Sequence, residues 1–194
     1  MLDTHARKYV QPIIRDTARS CLKMGLNPNQ VTWAAWVIGM GAGMLVYFER
    51  PILAVFLLWV SGYLDAVDGS MAREANRMSA WGTLLDITFD RIVELGIIIS
   101  LAIRHPHSQL LLLLLTASIV FSMTVFLTVG ALSEKKGLKS FYYQAGLAER
   151  TEGLILLSLM TLFPKDLLWS TGLFLVMEVL TGLQRMGEAK RLLA

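Results

Sequence analysis

The chain has 194 residues, 55% of them apolar, with a formal net charge of +3 and a positive mean hydropathy of +0.55. That composition excludes an ordinary soluble domain and points to an integral membrane protein. A pI near 9.1 would also suit nucleic acid, but the basic residues sit beside apolar runs. Anionic lipid headgroups are the simpler partner there, so nucleic acid is not expected.

Residues 1–25 read as an amphipathic juxtamembrane helix lying in the interface. Leu2, Ala6, Tyr9, Val10, Ile13, Ile14, Ala18, Cys21 and Leu22 fall near one helical stripe, with Arg7, Arg15, Arg19 and Lys23 largely off it. Pro12 removes a backbone donor, so a break or kink is expected there. The segment has five basic residues and no long apolar core, unlike a cleaved signal peptide. The single cysteine, Cys21, excludes an intrachain disulfide.

Residues 26–194 carry six apolar runs near the length of about 20 residues that crosses a bilayer, at about 31–48, 52–72, 81–103, 108–132, 148–163 and 166–184. The expected fold is therefore all-α, with six transmembrane helices behind the interfacial one. Six spans put the N-terminus, the 2–3 and 4–5 connections and the C-terminus on one side. That side holds nearly all the Lys and Arg; the other holds only Arg50, Arg104 and Lys165. Both termini are thus expected in the cytoplasm, with the protein in the cytoplasmic membrane.

At the start of span 1, Gly25 and Asn27-Pro28 are stop and turn signals, Asn29 reads as the N-cap, and Thr32 follows one turn later. Free amides at such a helix start can hold a phosphate at the membrane surface. Further along, Gly39, Gly41 and Gly43 offer a small face for close helix packing, within or between subunits. The run LLLLLL at 110–115 has no polar face and is expected to look at lipid. SEKKGLKSFYYQAGLAER, the longest polar stretch, lies on the cytoplasmic side as a second binding surface.

The residues that need most explaining are four aspartates. Asp65 and Asp68 are three apart, and Asp86 and Asp90 four apart, so each pair projects from one helix face. Both pairs sit at the cytoplasmic ends of spans 2 and 3, which a short connection joins. So many carboxylates near apolar surroundings repel one another unless a cation compensates them. Oxygen-only ligands suit Mg²⁺ or Mn²⁺, and four carboxylates are enough for two ions. Gly69 and Ala72 leave room beside Asp68, Arg73 is placed for phosphate oxygens, and Gly82 opens space before Asp86. Together these describe a diphosphate site in which metals assist an in-line displacement at phosphorus.

The spacing Asp65-x-x-Asp68-Gly69-x-x-Ala72-Arg73, eight residues, then Gly82-x-x-x-Asp86-x-x-x-Asp90 resembles the full signature of the CDP-alcohol phosphotransferases. The Pro28-Asn29-x-x-Thr32 start of span 1 and the six-span layout resemble that family too. The resemblance implies a CDP-linked lipid as donor, a polar alcohol as acceptor, CMP as leaving product, and a homodimer. It implies Asp65, Asp68, Asp86 and Asp90 around two Mg²⁺ or Mn²⁺ ions, with Asp90 also the general base. Asn29, Thr32, Gly69, Ala72, Arg73, Ser79 and Gly82 would hold the CDP-lipid.

For the acceptor, GLAERTEGLILL resembles the Glu-Arg start of span 5 in the branch that uses inositol phosphate, which makes Arg150 a phosphate ligand. The basic residues that branch carries at the end of span 4 are absent from FLTVGALSE. Lys135, Arg150 and Arg191, with Lys136, Lys139 and Arg185 nearby, suit a phosphorylated polyol such as glycerol 3-phosphate or inositol phosphate. The alternatives are an unphosphorylated acceptor (serine, inositol) or, in another class, a divalent-cation transporter. A transport path needs polar residues on the far side as well, and spans 2 and 3 keep their carboxylates at the cytoplasmic end. Glu178, inside span 6, reads as a helix-pairing carboxylate.

Overall fold

The computed structural model describes residues 2–132 and 146–193. The described residues form seven α-helices and two single 3₁₀ turns in two compact units.

In the first unit (2–105), α1 (Leu2–Lys23) runs through Pro12 without interruption, so the expected break is absent. Gly25 at φ 80° ends α1, with Leu26 N–H bonded to the Cys21 carbonyl and Gly25 N–H to that of Leu22. This double bond closes a helix end and favours glycine at its left-handed position. α2 (Pro28–Tyr47) then begins earlier than expected: Asn27 is the N-cap, and the Gln30 Oε1 accepts its N–H at 2.9 Å. The reason is Pro28, whose missing donor and fixed φ suit the first helical position. Asn29 is moved into the first turn.

α3 (Pro51–Glu74) and α4 (Ala80–Arg104) both lie against α2, and α1 lies against α3. The glycine face of α2 is used inside the subunit. A Cβ on Gly39 would stand 2.5 Å from Val93 Cγ2 and 2.7 Å from Ser61 Oγ, and one on Gly43 would stand 3.2 Å from the Gly96 backbone. Ser61 Oγ is itself tied to the Ala35 carbonyl at 2.7 Å, so it cannot yield freely. Gly39→Ala is therefore expected to destabilise the protein by about 1–3 kcal/mol through overpacking, read as a lower Tm in detergent, while Gly25→Asn stays close to wild type.

In the second unit (106–193), turn Pro106–Ser108 leads into α5 (Gln109–Leu132), and turn Pro164–Asp166 joins α6 (Arg150–Leu162) to α7 (Leu167–Leu193). α7 packs against α5 and α6. The leucine run is split by the fold: Leu112 and Leu115 are buried, whereas Leu110, Leu113 and Leu114 are exposed. A uniformly apolar run has no polar side to mark which leucines face α7.

Among the described residues, four segments are long and apolar enough to cross a bilayer: Pro28–Tyr47, Pro51–Glu74, Pro106–Leu132 and Pro164–Leu193. The other two expected spans fall short for identifiable reasons. α4 is long enough but contains Asp86, Asp90, Arg91 and Glu94; α6 has 13 residues, about 20 Å against a hydrocarbon core of about 30 Å.

Candidate functional site

The site is built where α3 ends and α4 begins. Asn76, at φ 51°, takes the left-handed position after α3. Arg77 N–H bonds to the Ala72 carbonyl and Asn76 N–H to that of Arg73, closing the helix as Gly25 closes α1. Asparagine tolerates this conformation better than most residues. Ser79 then caps α4, its Oγ accepting the Gly82 N–H at 3.0 Å. The chain reverses within five residues. Asp68 stands six residues before the end of α3 and Asp86 six residues after the start of α4, so the two come level.

Asp65 and Asp68 are buried, at 8% and 4% exposure, and Asp86 is half-buried. One carboxylate oxygen from each lies within 4.8 Å of the others, the one such cluster among the described residues. Oxygens on opposite sides of a Mg²⁺ ion stand about 4 Å apart at metal–oxygen distances of about 2.1 Å. This donor set, all oxygen and all anionic, therefore fits a hard divalent cation. Asp90 stands one turn beyond Asp86 on α4, half-buried and outside that three-carboxylate group.

Around the carboxylates, the Arg73 guanidinium folds back over Gly69: a Cβ there would stand 3.4 Å from Nη1. A methyl at Gly69 would touch that arginine, and a larger side chain would press on it. Gly82 meets the start of α2, since its Cβ would lie 3.2 Å from Ser79 Oγ and 3.4 Å from Asn29 Oδ1. Thr32 is buried, and its hydroxyl donates to the Pro28 carbonyl at 3.1 Å. Asn29, Ser79 and Gly82 are thus brought together by the starts of α2 and α4. Ala72 is half-buried one turn beyond Asp68.

Two features escaped the sequence reading. Arg77 donates to Asn27 Oδ1 at 3.0 Å and lines a surface groove with Asn27, Pro28, Asn29, Gln30 and Ser79. Arg91 pairs with the buried Glu94 one turn beyond Asp90. The i,i+3 spacing of that pair was the available signal.

The basic residues expected to meet the acceptor lie in the second unit. Arg150 is the first residue of α6 and half-buried, whereas Arg191 is exposed in the last turn of α7. Lys135 lies outside the described residues. Arg185 is buried: its Nη1 donates to Ser122 Oγ at 3.1 Å and its guanidinium lies 4.8 Å from the centre of the Phe126 ring. Arginine tolerates such stacking because its charge is delocalised and weakly hydrated.

Comparison with known proteins bears on the same residues. The CDP-alcohol phosphatidyltransferase family matches residues 26–184. The chain is 31% identical to the archaetidylinositol phosphate synthase of Pyrococcus horikoshii, over 98% of this chain and 97% of that one. Its fold resembles the crystal structure of Mycobacterium tuberculosis phosphatidylinositol phosphate synthase with CDP-DAG bound, with a TM-score of 0.76 and 23% identity over 92% of this chain and 94% of that one. The same enzyme in complex with manganese and citrate gives a TM-score of 0.75 at 23% identity, over 91% and 88%. Family match, full-length relative and fold agree with the carboxylate cluster of α3 and α4: the chain is an integral membrane enzyme of the CDP-alcohol phosphatidyltransferase family.

Proposed function

We propose that the protein transfers a phosphatidyl-type group from a CDP-linked lipid to a phosphorylated polyol of the inositol phosphate kind, releasing CMP. The observation that carries this reading is the convergence of Asp65, Asp68 and Asp86 within 4.8 Å beside an arginine folded over Gly69. It is supported by the full-length relative, which is named for an inositol phosphate product. In this reading the chain crosses the cytoplasmic membrane six times, α4 despite its charged residues and α6 despite its length of 13 residues. Both termini and the site face the cytoplasm, and the interfacial segment 1–25 precedes the transferase domain 26–194. The homodimer rests on the family resemblance alone, because the α2 glycines pack within the subunit.

Asp65, Asp68 and Asp86, with Asp90 one turn on, are the residues that would hold two Mg²⁺ or Mn²⁺ ions. When bound, the ions supply charge neutralisation for the diphosphate and for charge developing at phosphorus. Arg73 grips phosphate oxygens through its planar fork. Asn29, Thr32 and Ser79 orient the CDP moiety, and Gly69, Ala72 and Gly82 give it room. Asp90 takes the proton of the acceptor hydroxyl. The acceptor oxygen then bonds to the phosphorus that carries the lipid, the bond from that phosphorus to the CMP oxygen breaks, and CMP leaves with the electron pair. Arg150, Arg185, Arg191 and Lys135 are the basic residues assigned to the acceptor phosphate.

The test is CMP release by purified protein with Mn²⁺, using CDP-diacylglycerol and its ether-lipid counterpart as donors. Inositol phosphate, glycerol 3-phosphate, inositol and serine are added one at a time. Release with a phosphorylated polyol, and a KM for it raised about 10- to 100-fold in Arg150→Gln by loss of a charge-assisted bond, is the expected result. Release with serine or free inositol alone would overturn the acceptor assignment while leaving the transferase intact.

A further inference from the structure

Outside the site itself, α1 makes a defined contact with α3. Ile14 and Ala18 of α1 are buried together with Val67 and Met71 of α3. Two polar bonds flank this apolar patch. The hydroxyls of Thr17 and Tyr63 lie 2.6 Å apart, and Arg19 Nε donates to Glu74 Oε2 at 3.0 Å. On α3 the two anchor points are eleven residues apart, about 16 Å along the axis, whereas Thr17 and Arg19 are separated by about 3 Å. α1 therefore crosses α3 near Val67 and Met71, and long side chains extend the contact along α3 in both directions.

The segment between those anchors, from Tyr63 to Glu74, carries Asp65, Asp68, Gly69 and Arg73. Helical periodicity separates its faces: Val67 and Met71 point to α1, and Asp65 and Asp68 point elsewhere, towards Asp86. A membrane anchor needs only an apolar face and basic flanks. It does not need a buried core shared with one helix and a polar bond at each end of the catalytic stretch.

We infer that α1 is a positioning strut for the carboxylate site: through Thr17–Tyr63 and Arg19–Glu74 it sets where Asp65 and Asp68 stand relative to Asp86. This rests on the reading of those three aspartates as a metal site. Thr17, Arg19, Tyr63 and Glu74 are positioning residues that touch neither metal nor substrate. The Thr17–Tyr63 bond is the stronger of the two anchors. Arg19 is 59% exposed, and solvent screening weakens a pair of that kind.

The test is Mn²⁺ binding to the full chain in lipid nanodiscs, read by electron paramagnetic resonance, with Tm recorded for each variant. Thr17→Val and Tyr63→Phe are each expected to weaken Mn²⁺ binding about three- to tenfold, at or below the range for groups that directly support metal ligands. The double variant should lose no more than Thr17→Val alone, because both changes remove the Thr17–Tyr63 bond and only Thr17→Val also removes the Thr17 bond to the Ile13 carbonyl. Arg19→Glu weakens binding less, and Arg19→Glu with Glu74→Arg recovers it, which a general loss of folding would not allow. If Tyr63→Phe fails to fold, the charge reversal decides alone, and no loss in Arg19→Glu or no recovery in the pair overturns the strut.

Asp68→Asn serves as the control that separates the two ideas. Loss of Mn²⁺ binding in Asp68→Asn with none in the α1 variants leaves the metal site standing and sinks the strut. If Asp68→Asn binds Mn²⁺ as wild type does, the metal reading fails and the strut fails with it.

Discussion

Replacing Asp68 with asparagine should abolish Mn²⁺-dependent CMP release and the metal's effect on stability together. Asp68 is the most buried of the three converging carboxylates, at 4% exposure. Removing one partner from a buried charge pair costs about 3–5 kcal/mol, or about 10²- to 10⁴-fold in affinity, and a carboxylate facing a cation in this setting belongs to that class. The same change should act with opposite sign on the metal-free protein. Carboxylates about 5 Å apart repel by up to about 3 kcal/mol at an effective dielectric of 20. In EDTA the variant is therefore expected to melt above wild type, and in Mn²⁺ below it. Thermal unfolding followed with and without metal reads both signs. A variant that melts below wild type in both conditions would show that Asp68 is held for packing, with no ion at the site.

The carboxylate site was legible in the sequence because it is local. Twenty-six residues run from Asp65 to Asp90, and helical periodicity with one short turn is enough to bring their ends level. What the spacing did not show was the difference among the four: three aspartates cluster and Asp90 stands one turn away. The contact of α1 with α3 was not legible, since a hydrophobic stripe reveals which face is apolar and nothing about which element covers it. Ile14 and Ala18 find Val67 and Met71 from some fifty residues away. The start of α2 was misplaced because Asn27 and Asn29 are equivalent as caps by residue type, and only Pro28 between them breaks the tie. The use of Gly39 and Gly43 depended on Val93 and Gly96, which lie on another helix. α6 was read as a span from its apolar residues, although its helix has only 13 residues.

Asp90→Asn should separate chemistry from metal binding. Asp90 lies on α4 one turn past Asp86, outside the group of three, and in the proposed function it takes the acceptor hydroxyl and the other three take the cations. Removing a positioned base costs about 10²- to 10⁴-fold in rate, with little effect on ground-state binding. The expected result is therefore a kcat lower by that factor, an unchanged KM for the CDP-lipid, and Mn²⁺ affinity close to wild type. Asparagine keeps the size of aspartate and its capacity to accept a hydrogen bond, so the comparison isolates the basic oxygen. The neighbouring Arg91–Glu94 pair keeps both its partners and continues to hold that turn of α4. Loss of Mn²⁺ affinity comparable to that in Asp68→Asn would instead make Asp90 a metal ligand first, and the proton acceptor would have to be sought elsewhere. An undiminished kcat would exclude Asp90 from the proton transfer altogether.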